Sequence, residues 1–103
     1  MLRHIVMYKF KAEAQGRTRE ENLAIAQKLA QDMAVPGAIP ELKAFQYGIG
    51  APGSAEGNYD ITLVCDLDSF AALDRYKLNP VHKAFGEHCH AVSDLRAAID
   101  FEV

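Results

Sequence analysis

The amino-acid sequence predicts one α+β domain, with elements in the order β-α-β-β-α-α-β. Three observations support this fold class: a first strand that is apolar on both alternating faces, a helix opened by a capping box at Thr18, and a later helix opened by Asn79 and Pro80. A length of 103 residues suits one domain, and we assign residues 1–103 to it.

The first strand is predicted over Leu2–Phe10, because this β-rich segment is apolar at both alternating sets of positions. Ile5 and Met7 form one set, and the other set consists of His4, Val6, Tyr8 and Phe10. A strand of this kind has to be covered on both faces, since water on either face would meet apolar side chains.

The first helix is predicted from a T-x-x-E capping box, in which Thr18 is the cap and Glu21 lies three residues on. Pro36 and Gly37 end this helix. Its apolar side chains recur at helical spacing, at Leu23, Ala26, Leu29, Ala30 and Met33.

Two further strands are predicted over Leu42–Ile49 and Tyr59–Leu67. The segment 50–58 between them is a loop by its Gly, Pro, Ser and Asn content. Its glycines do not indicate a phosphate-binding loop, because neither Lys-Ser/Thr nor a helix follows them. Because strands adjacent in sequence usually lie side by side, we expect an antiparallel pair.

The last third of the chain is predicted as two short helices and a strand. Asp68 or Ser69 caps the first helix, whose inward side chains are Phe70, Leu73 and Tyr76. Asn79 caps the second helix, with Pro80 at its first position, where the missing N–H costs nothing. The apolar stripe of this helix consists of Val81, Phe85, Cys89 and Val92. The strand from about Leu95 to Val103 alternates apolar residues with charged ones.

With the two short helices counted as one broken crossover, this order is the βαββαβ unit of ferredoxin-like folds, with a four-stranded antiparallel sheet. Helices then cover one face of the sheet and leave the other bare in a monomer. We expect the bare face to carry Val6, Tyr8, Phe10, Phe45 and Tyr47. A bare apolar face of this size calls for a partner, so we predict a homodimer in which two sheets pack face to face.

Composition excludes several classes of partner. A formal net charge of -3 and a pI near 5.7, without a basic stripe, argue against nucleic acid. No apolar stretch approaches the roughly 20 residues of a membrane span, and the apolar run after Arg3 and His4 is too short for a signal peptide. Cys65 and Cys89 are expected to be buried thiols, which fits a cytoplasmic setting.

Four segments together resemble the stress-responsive A/B barrel (Dabb) family: RHIVMYKFK, GNYDITLVCDL, NPVHKAF and AIDFEV. The resemblance covers nearly the whole chain, and its most specific parts are the N-terminal H-I-V and the P-x-H-x-x-F segment with Tyr76 just upstream. It implies a ferredoxin-like homodimer, a dimeric α/β barrel in which two sheets form a β-barrel. Most members of the family have no assigned activity.

One branch of the family consists of plant polyketide cyclases, and the resemblance implies site residues for such chemistry. His82 in the P-x-H segment takes the catalytic position, Tyr76 assists it, and His4 borders the pocket. Ile61 stands where that branch has a further histidine, so one polar member of the pocket is missing here. No cofactor is implied.

Each of these residues also has a purely structural interpretation. His82 could act as a neutral general base, kept neutral by the helix N-terminus, or it could bond a backbone group and lock the corner between two helices. Tyr76 could orient His82 or simply pack. His4 could meet a ligand or be a satisfied interior histidine, with Asp60 or Asp100 as its partner.

We predict that a ligand pocket between sheet and helices is lined by His4, Val6, Tyr8, Ile61 and Phe85. No metal site is expected, because His88, Cys89 and His90 are consecutive and consecutive helical residues point about 100° apart. His82 and His88 fall on opposite sides of their helix.

Three functions follow in order of preference. The first is a homodimer that binds a small hydrophobic molecule without catalysis. The second is a cofactor-independent polyketide cyclase or isomerase with His82 as base, which needs a cavity of at least about 300 Å³ between sheet and helices. The third is a cofactor-free monooxygenase of the related dimeric barrels, ranked last because the chain has no Trp.

Overall fold

The computed structural model describes all 103 residues, and it has six strands and three helices. Their bounds are β1 Leu2–Phe10, β2 Glu13–Ala14, β3 Arg17–Thr18, α1 Arg19–Ala34, β4 Ala44–Ile49, β5 Ile61–Leu67, α2 Phe70–Leu78, α3 Pro80–Val92 and β6 Ser93–Glu102. Apart from the short β2–β3 hairpin, this is the predicted order of elements. None of the three helices has both the length and the apolar content needed to span a bilayer.

The main sheet has four strands in the order β4-β5-β1-β6, and all of its pairings are antiparallel. β1 therefore lies inside the sheet, while β4 and β6 form its edges. The ferredoxin-like prediction is confirmed, with α2 and α3 together forming the second crossover.

The helices cover one face of this sheet, and the core lies between the two layers. Along β1 the covered face carries five buried side chains, Leu2, His4, Val6, Tyr8 and Phe10. β5 adds Ile61, Leu63, Cys65 and Leu67 from the same face, and the helices add mainly Ala26, Ala30, Met33, Leu73, Tyr76, Phe85, Cys89 and Val92. The layer is tightly filled, and no buried side-chain nitrogen or oxygen lacks a hydrogen-bond partner.

The prediction of which face is bare was wrong. Val6, Tyr8 and Phe10 point towards the helices and are buried within the single chain. Phe45 and Tyr47 pair with Cys65 and Leu63, so they share that covered face and pack at the margin of the core. The reason is that both alternating sets of β1 are apolar, so its pattern does not decide which set the helices cover.

We call the uncovered side of the sheet the open face. It carries Arg3, Ile5, Met7 and Lys9 from β1, and Leu95, Ala97, Ile99 and Phe101 from β6. β5 contributes Thr62, Val64 and Asp66, and β4 contributes Ala44, Gln46 and Gly48. Apolar side chains are left in contact with water here, so the argument for a covering partner holds with a different set of residues.

The capping predictions for the helices are confirmed. The Thr18 side chain accepts the Glu21 N–H, while the Glu21 carboxylate accepts the Thr18 N–H. Ser69, one of the two predicted candidates, caps α2. Phe70 is the exception to the predicted inward set, because at the first position of α2 its ring is 60% exposed.

The β2–β3 hairpin was not predicted. Its turn residues Gln15 and Gly16 both have positive φ, 56° and 72°, which places glycine where a left-handed conformation is needed. Buried Asn22 of α1 holds the hairpin, because its amide donates to the Ala14 carbonyl and its oxygen accepts from Arg17 Nε.

Candidate functional site

The corner between α2 and α3 is built around Asn79. This residue follows the last turn of α2 and caps α3, where its side-chain oxygen accepts the Val81 N–H at 2.8 Å. Its amide also donates to the Ala38 carbonyl, which ties the corner to the segment after α1. With Pro80 fixing the first turn of α3, the two helices have a defined relative direction.

This corner places His82 against Tyr76. The two rings lie 4.3 Å apart between centroids at an interplanar angle of 42°. Tyr76 is fully buried, whereas His82 remains partly exposed, so the imidazole forms the outer layer of the stack. The predicted association of these two residues is therefore present in the structure.

The Lys77 carbonyl fixes the tautomer of His82. Nδ1 of His82 lies 3.2 Å from that oxygen, and a carbonyl only accepts, so Nδ1 carries the hydrogen and Nε2 carries the lone pair. This bond joins α3 to α2, which is the corner-locking role considered from the sequence. The same bond also leaves Nε2 as a free acceptor, so the structural role and a chemical role are compatible.

Burial lowers the pKa of His82, and the hydrogen bond to Lys77 offsets part of this shift. The ring is therefore neutral at pH 7, as expected, although the main cause is burial rather than the helix N-terminus. Gly86 lies one turn further along α3, where a Cβ would come 3.6 Å from Cε1 and 3.9 Å from Nε2 of the imidazole. The absence of a side chain at Gly86 keeps that edge of the ring accessible.

His4 lies beneath Tyr76, on the covered face of β1. Its ring meets the Tyr76 ring edge-on, with centroids 6.3 Å apart, and is only 5% exposed. Nδ1 of His4 bonds the carboxylate of Asp100 on the neighbouring β6, so Asp100 is the predicted acidic partner. Asp60, the other candidate, instead accepts the Phe10 N–H.

A path of contacts thus leads through the core: Asp100 bonds His4, the His4 ring meets the Tyr76 ring edge-on, and the His82 ring stacks on Tyr76. The Cys65 thiol joins this path, because Sγ lies 3.5 Å from the Tyr76 hydroxyl and donates to it. Burial raises the pKa of Cys65 to about 11 and that of Tyr76 further still, so both groups stay protonated near neutral pH. Both ends of the path reach the surface, because His82 is partly exposed and the Asp100 side chain is 30% exposed.

The predicted pocket between sheet and helices is filled with side chains. His4, Val6, Tyr8, Ile61 and Phe85 are all buried, and the Tyr8 and Phe85 rings pack edge-on 6.1 Å apart. None of the four cavities is lined by His82, Tyr76 or His4. The cavity of at least about 300 Å³ that cyclase chemistry requires at this place is therefore not open in this structure.

The largest cavity lies elsewhere, as a groove of about 530 Å³ at the end of the open face. Met7, Gly48 and Thr62 form its floor, and the loop before β5 forms its wall through Gly57, Asn58, Tyr59 and Asp60. Lys9 holds this loop, because Nζ bonds the carbonyl oxygens of Glu56 and Asn58. We call this cavity the open-face groove.

The remaining candidate residues have structural partners. Nε2 of His88 bonds the Asn22 carbonyl and so joins α3 to α1, which draws it away from its neighbours Cys89 and His90. No three His, Cys, Asp or Glu side chains are grouped so as to hold a metal ion. Cys65 and Cys89 are free buried thiols, as predicted.

Two parts of the site were not identified from the sequence. The Lys77 carbonyl is a backbone group, so no residue type signals its role. Gly86 lies four residues after His82, which is the spacing at which helical side chains meet, and this spacing was the available signal.

The chain is similar to several solved structures with this architecture. A dimeric ferredoxin-like protein of unknown function from Thermobifida fusca YX is 30% identical, with 99% of this chain and 90% of that chain covered and a TM-score of 0.71. A dimeric protein of ferredoxin-like fold and unknown function from Bacteroides fragilis NCTC 9343 is 24% identical, with 99% and 95% covered and a TM-score of 0.78. An antibiotic biosynthesis monooxygenase is 16% identical, with 100% and 98% covered and a TM-score of 0.72, which shows a shared fold alone.

No curated protein matches the chain. The sequence profile of the Stress responsive A/B Barrel Domain (Dabb) matches residues 2–103, which is nearly the whole chain. This match agrees with the strand order and with the similarity to the Thermobifida protein. The chain belongs to the stress-responsive A/B barrel (Dabb) family.

Proposed function

We propose that this chain works as a homodimer, associated through the open face, that binds a small hydrophobic molecule at His82. The observation that supports this proposal most directly is the stack at the α2–α3 corner. His82 lies on buried Tyr76, and its Nε2 takes part in no hydrogen bond. It is thus an acceptor at the surface, backed by an aromatic ring.

The chemistry of the corner defines the ligand class. A free imidazole nitrogen accepts a hydrogen bond from a hydroxyl, while the ring face and the bare Gly86 edge favour a flat apolar body. A phenol or a small aromatic alcohol meets both requirements. Because the layer beneath is filled, such a ligand either lies over the corner or enters by displacing a side chain next to His82.

Dimerisation is supported independently of the ligand. Leu95, Ile99 and Phe101 are large apolar side chains left exposed on the open face. The Thermobifida relative is dimeric. Light scattering at micromolar concentration should therefore give twice the 11.3 kDa mass of one chain, and a monomer would contradict this part of the proposal.

Ligand binding is tested by thermal shift and native mass spectrometry with a panel of small phenols and aromatic alcohols. We expect at least one compound to bind the parent protein and to bind His82→Ala at least about tenfold more weakly, since a lost hydrogen bond and stacking contact together cost more than about 1 kcal/mol. His90→Ala is the matched control, because His90 is exposed on the same helix and has no contact with Tyr76. Equal affinity in both variants would remove His82 from the site.

A second variant separates binding from stability. Gly86→Ala places a methyl group in ordinary contact with the imidazole and removes a helical glycine. We expect the free energy of unfolding to rise by about 0.5–1 kcal/mol, from helix propensity. Ligand affinity should fall at the same time, because the ring edge becomes shielded.

A general-base enzyme, acting as a cyclase or isomerase on a polyketide-like substrate, is the second candidate. The tautomer of His82 favours this mechanism, because Nδ1 donates to a carbonyl and the unprotonated Nε2 of the neutral ring is free to take a proton. If a substrate is found, His82→Ala should abolish turnover and Tyr76→Phe should reduce it. Unchanged turnover in His82→Ala would exclude this mechanism. The monooxygenase prediction has no support here beyond the shared fold.

A further inference from the structure

The helices leave the outer strand β6 uncovered on the side that faces them. Three residues alternate on that side of β6 and pair with buried residues of β1: Arg96 with Tyr8, Ala98 with Val6 and Asp100 with His4. Ala98 is exposed, although it points to the same side as buried Val6. The helical layer therefore ends over β1, and we call the helix-facing side of β6 the β6 shelf.

Helix α3 runs along β1 in the same direction, so positions on the helix can be matched to positions on the β6 shelf. The Phe85 ring meets the Tyr8 ring with centroids 6.1 Å apart. Further along, the His88 ring meets the Phe10 ring at 6.3 Å. Because Arg96 pairs with Tyr8 in the sheet, it lies level with Phe85, which follows His82 by about 4.5 Å of helix axis.

One row of α3 borders the β6 shelf. His82, Gly86 and His90 are spaced four residues apart, so they share one side of the helix. A cavity of about 170 Å³ lies at the His90 end of this row, and its lining includes His90, Tyr8 and Arg96. The side of α3 that carries His82 is therefore the side that meets Arg96. Gly86, between the two histidines, has no side chain to fill the intervening space.

The guanidinium of Arg96 is a cation without a carboxylate partner. None of the ion pairs within the chain involves Arg96, although Asp94 and Asp100 lie two and four residues away on the same strand. Asp100 is engaged with His4 instead. The side chain of Arg96 is also exposed, so its planar set of N–H donors is available to an anion from outside the chain.

Electrostatic effects place Arg96 close to both aromatic groups of the site. Burial raises the pKa of Tyr8, and hydrogen bonding to Arg96 offsets part of this rise. Burial is also the main cause of the lowered pKa of His82, to which the positive charge of Arg96 adds a smaller part. A ligand in contact with Nε2 of His82 therefore lies within reach of the same charge.

We propose that Arg96 determines the specificity of the site at His82 and selects ligands that carry a carboxylate at the end opposite their hydroxyl. The hydroxyl donates to Nε2 of His82, the flat body lies over Gly86 and Ala98, and the carboxylate accepts two hydrogen bonds from the guanidinium. Asp94 lines the same cavity and repels an anion, which keeps the carboxylate at the Arg96 end. The inference rests on the proposed ligand site and adds the charge of the ligand.

Three related probes separate the two ends of the site. Para-coumarate has a hydroxyl and a carboxylate at opposite ends of a flat body, its methyl ester lacks the charge, and cinnamate lacks the hydroxyl. In isothermal titration calorimetry near neutral pH, the parent protein should bind para-coumarate at least about fivefold more tightly than either of the other two. A methyl ester that binds as tightly as the acid would overturn the proposal.

Substitution of Arg96 tests its part directly. Arg96→Gln should weaken binding of para-coumarate to the level of the methyl ester and leave the ester unchanged. Arg96→Lys keeps the charge but loses the planar fork, so its preference for the acid should be intermediate. Because Arg96 is exposed, both variants should unfold at the same temperature as the parent.

Arg75→Gln is the matched control for the loss of one positive charge. Arg75 lies on α2 with a side chain that is 62% exposed, and its neighbour is Glu41. This variant should keep the preference of the parent for the acid over the ester. If Arg75→Gln reduces that preference as much as Arg96→Gln does, the overall charge of the protein accounts for it, and the proposal is wrong.

A further variant distinguishes failure of this inference from failure of the ligand site. His82→Ala should bind para-coumarate and cinnamate equally while still preferring the acid to the ester. If the parent binds phenols through His82 but shows no preference for the acid, the ligand site stands and the role of Arg96 is refuted. If His82→Ala binds all three probes as the parent does, or if the parent binds none of them, the inference fails together with the ligand site.

Discussion

The two faces of the sheet both carry apolar side chains of β1, but only one face is buried within the chain. On the covered face, β1 buries five side chains, and the imidazole of His4 is satisfied by Asp100 within the same chain. On the open face, β1 carries Arg3 and Lys9 at its two ends and Ile5 and Met7 between them. All four side chains stay partly exposed. Burial on the first face is complete in the monomer, whereas the second face leaves large apolar side chains of β6 exposed.

The edge strand β6 distinguishes the faces more clearly than β1 does. Its large apolar side chains turn towards the open face, while Arg96, Asp100 and Glu102 turn towards the covered side. Leu95 and Ile99 are more than half exposed, so this apolar set does not pack into the core of its own chain. The comparison shows that an edge strand whose apolar side chains point away from its own core can indicate an interface between chains.

The largest expected effect comes from truncating a phenylalanine on the covered face. Phe10 is completely buried, so Phe10→Ala should lower the free energy of unfolding by about 3–5 kcal/mol in urea denaturation. Phe101→Ala is the matched change on the open face. In protein diluted below the dimer dissociation constant it should cost less than about 1 kcal/mol. Equal losses would mean that the two faces do not differ in this way.

Removing the acidic partner of His4 should have the next largest effect. Asp100→Ala leaves a buried imidazole N–H without an acceptor, which should cost about 1–3 kcal/mol of stability. Glu102→Ala serves as control on the same strand, because the Glu102 carboxylate is well exposed and contacts only the N-terminus. Its cost should stay within about 0.5 kcal/mol, as measured by chemical denaturation.

A substitution at the centre of the open face tests the difference between the two faces, because its effect on stability should depend on protein concentration. Ile5→Ala should cost less than about 1.5 kcal/mol in dilute protein, because Ile5 is only partly buried in one chain. At concentrations well above the dissociation constant the loss should be larger, since association stabilises the folded state. Unfolding curves at two concentrations measure the difference, and curves that coincide for the parent would argue against an interface here.

The smallest effect expected is the pH dependence that His82 contributes. Burial holds its pKa below the usual value near 6.5, so the unfolded chain takes up the proton first as pH falls. Stability linked to this group is therefore complete above about pH 7 and declines as pH falls through 6.5 towards the lower folded-state pKa. His82→Gln should flatten this part of the stability profile, and an unchanged slope would contradict the assignment.

Much of the fold could be predicted from local signals. The capping box at Thr18 and the Asn79–Pro80 pair locate two helix starts, and both are found where expected. The hairpin at 13–18 could not be predicted, because it has no apolar alternation and depends on the turn at Gln15 and on tertiary bonds to Asn22.

The contact between two of the candidate residues could be predicted, whereas the packing around them could not. Tyr76 and His82 were expected to meet, and the helix corner brings them together. Whether a cavity lies beside them depends on how Phe85, Tyr8 and Ile61 fill the layer. The presence of a cavity depends on how side-chain volumes fill the space between sheet and helices. The periodicity of apolar residues in the sequence contains no information about this packing.

The path of contacts from Asp100 to His82 joins residues of very different separation along the chain. His82 and Lys77 are five residues apart, so the helix corner assembles at little loop-closure cost. His4 and Asp100 are 96 residues apart and meet only when the final strand joins the sheet beside the first. The corner that holds His82 is therefore built from local contacts, whereas the support beneath Tyr76 depends on strands from the two ends of the chain. The strand that supplies Asp100 also carries Leu95, Ile99 and Phe101, so one element both completes this path and leaves apolar side chains of the open face exposed.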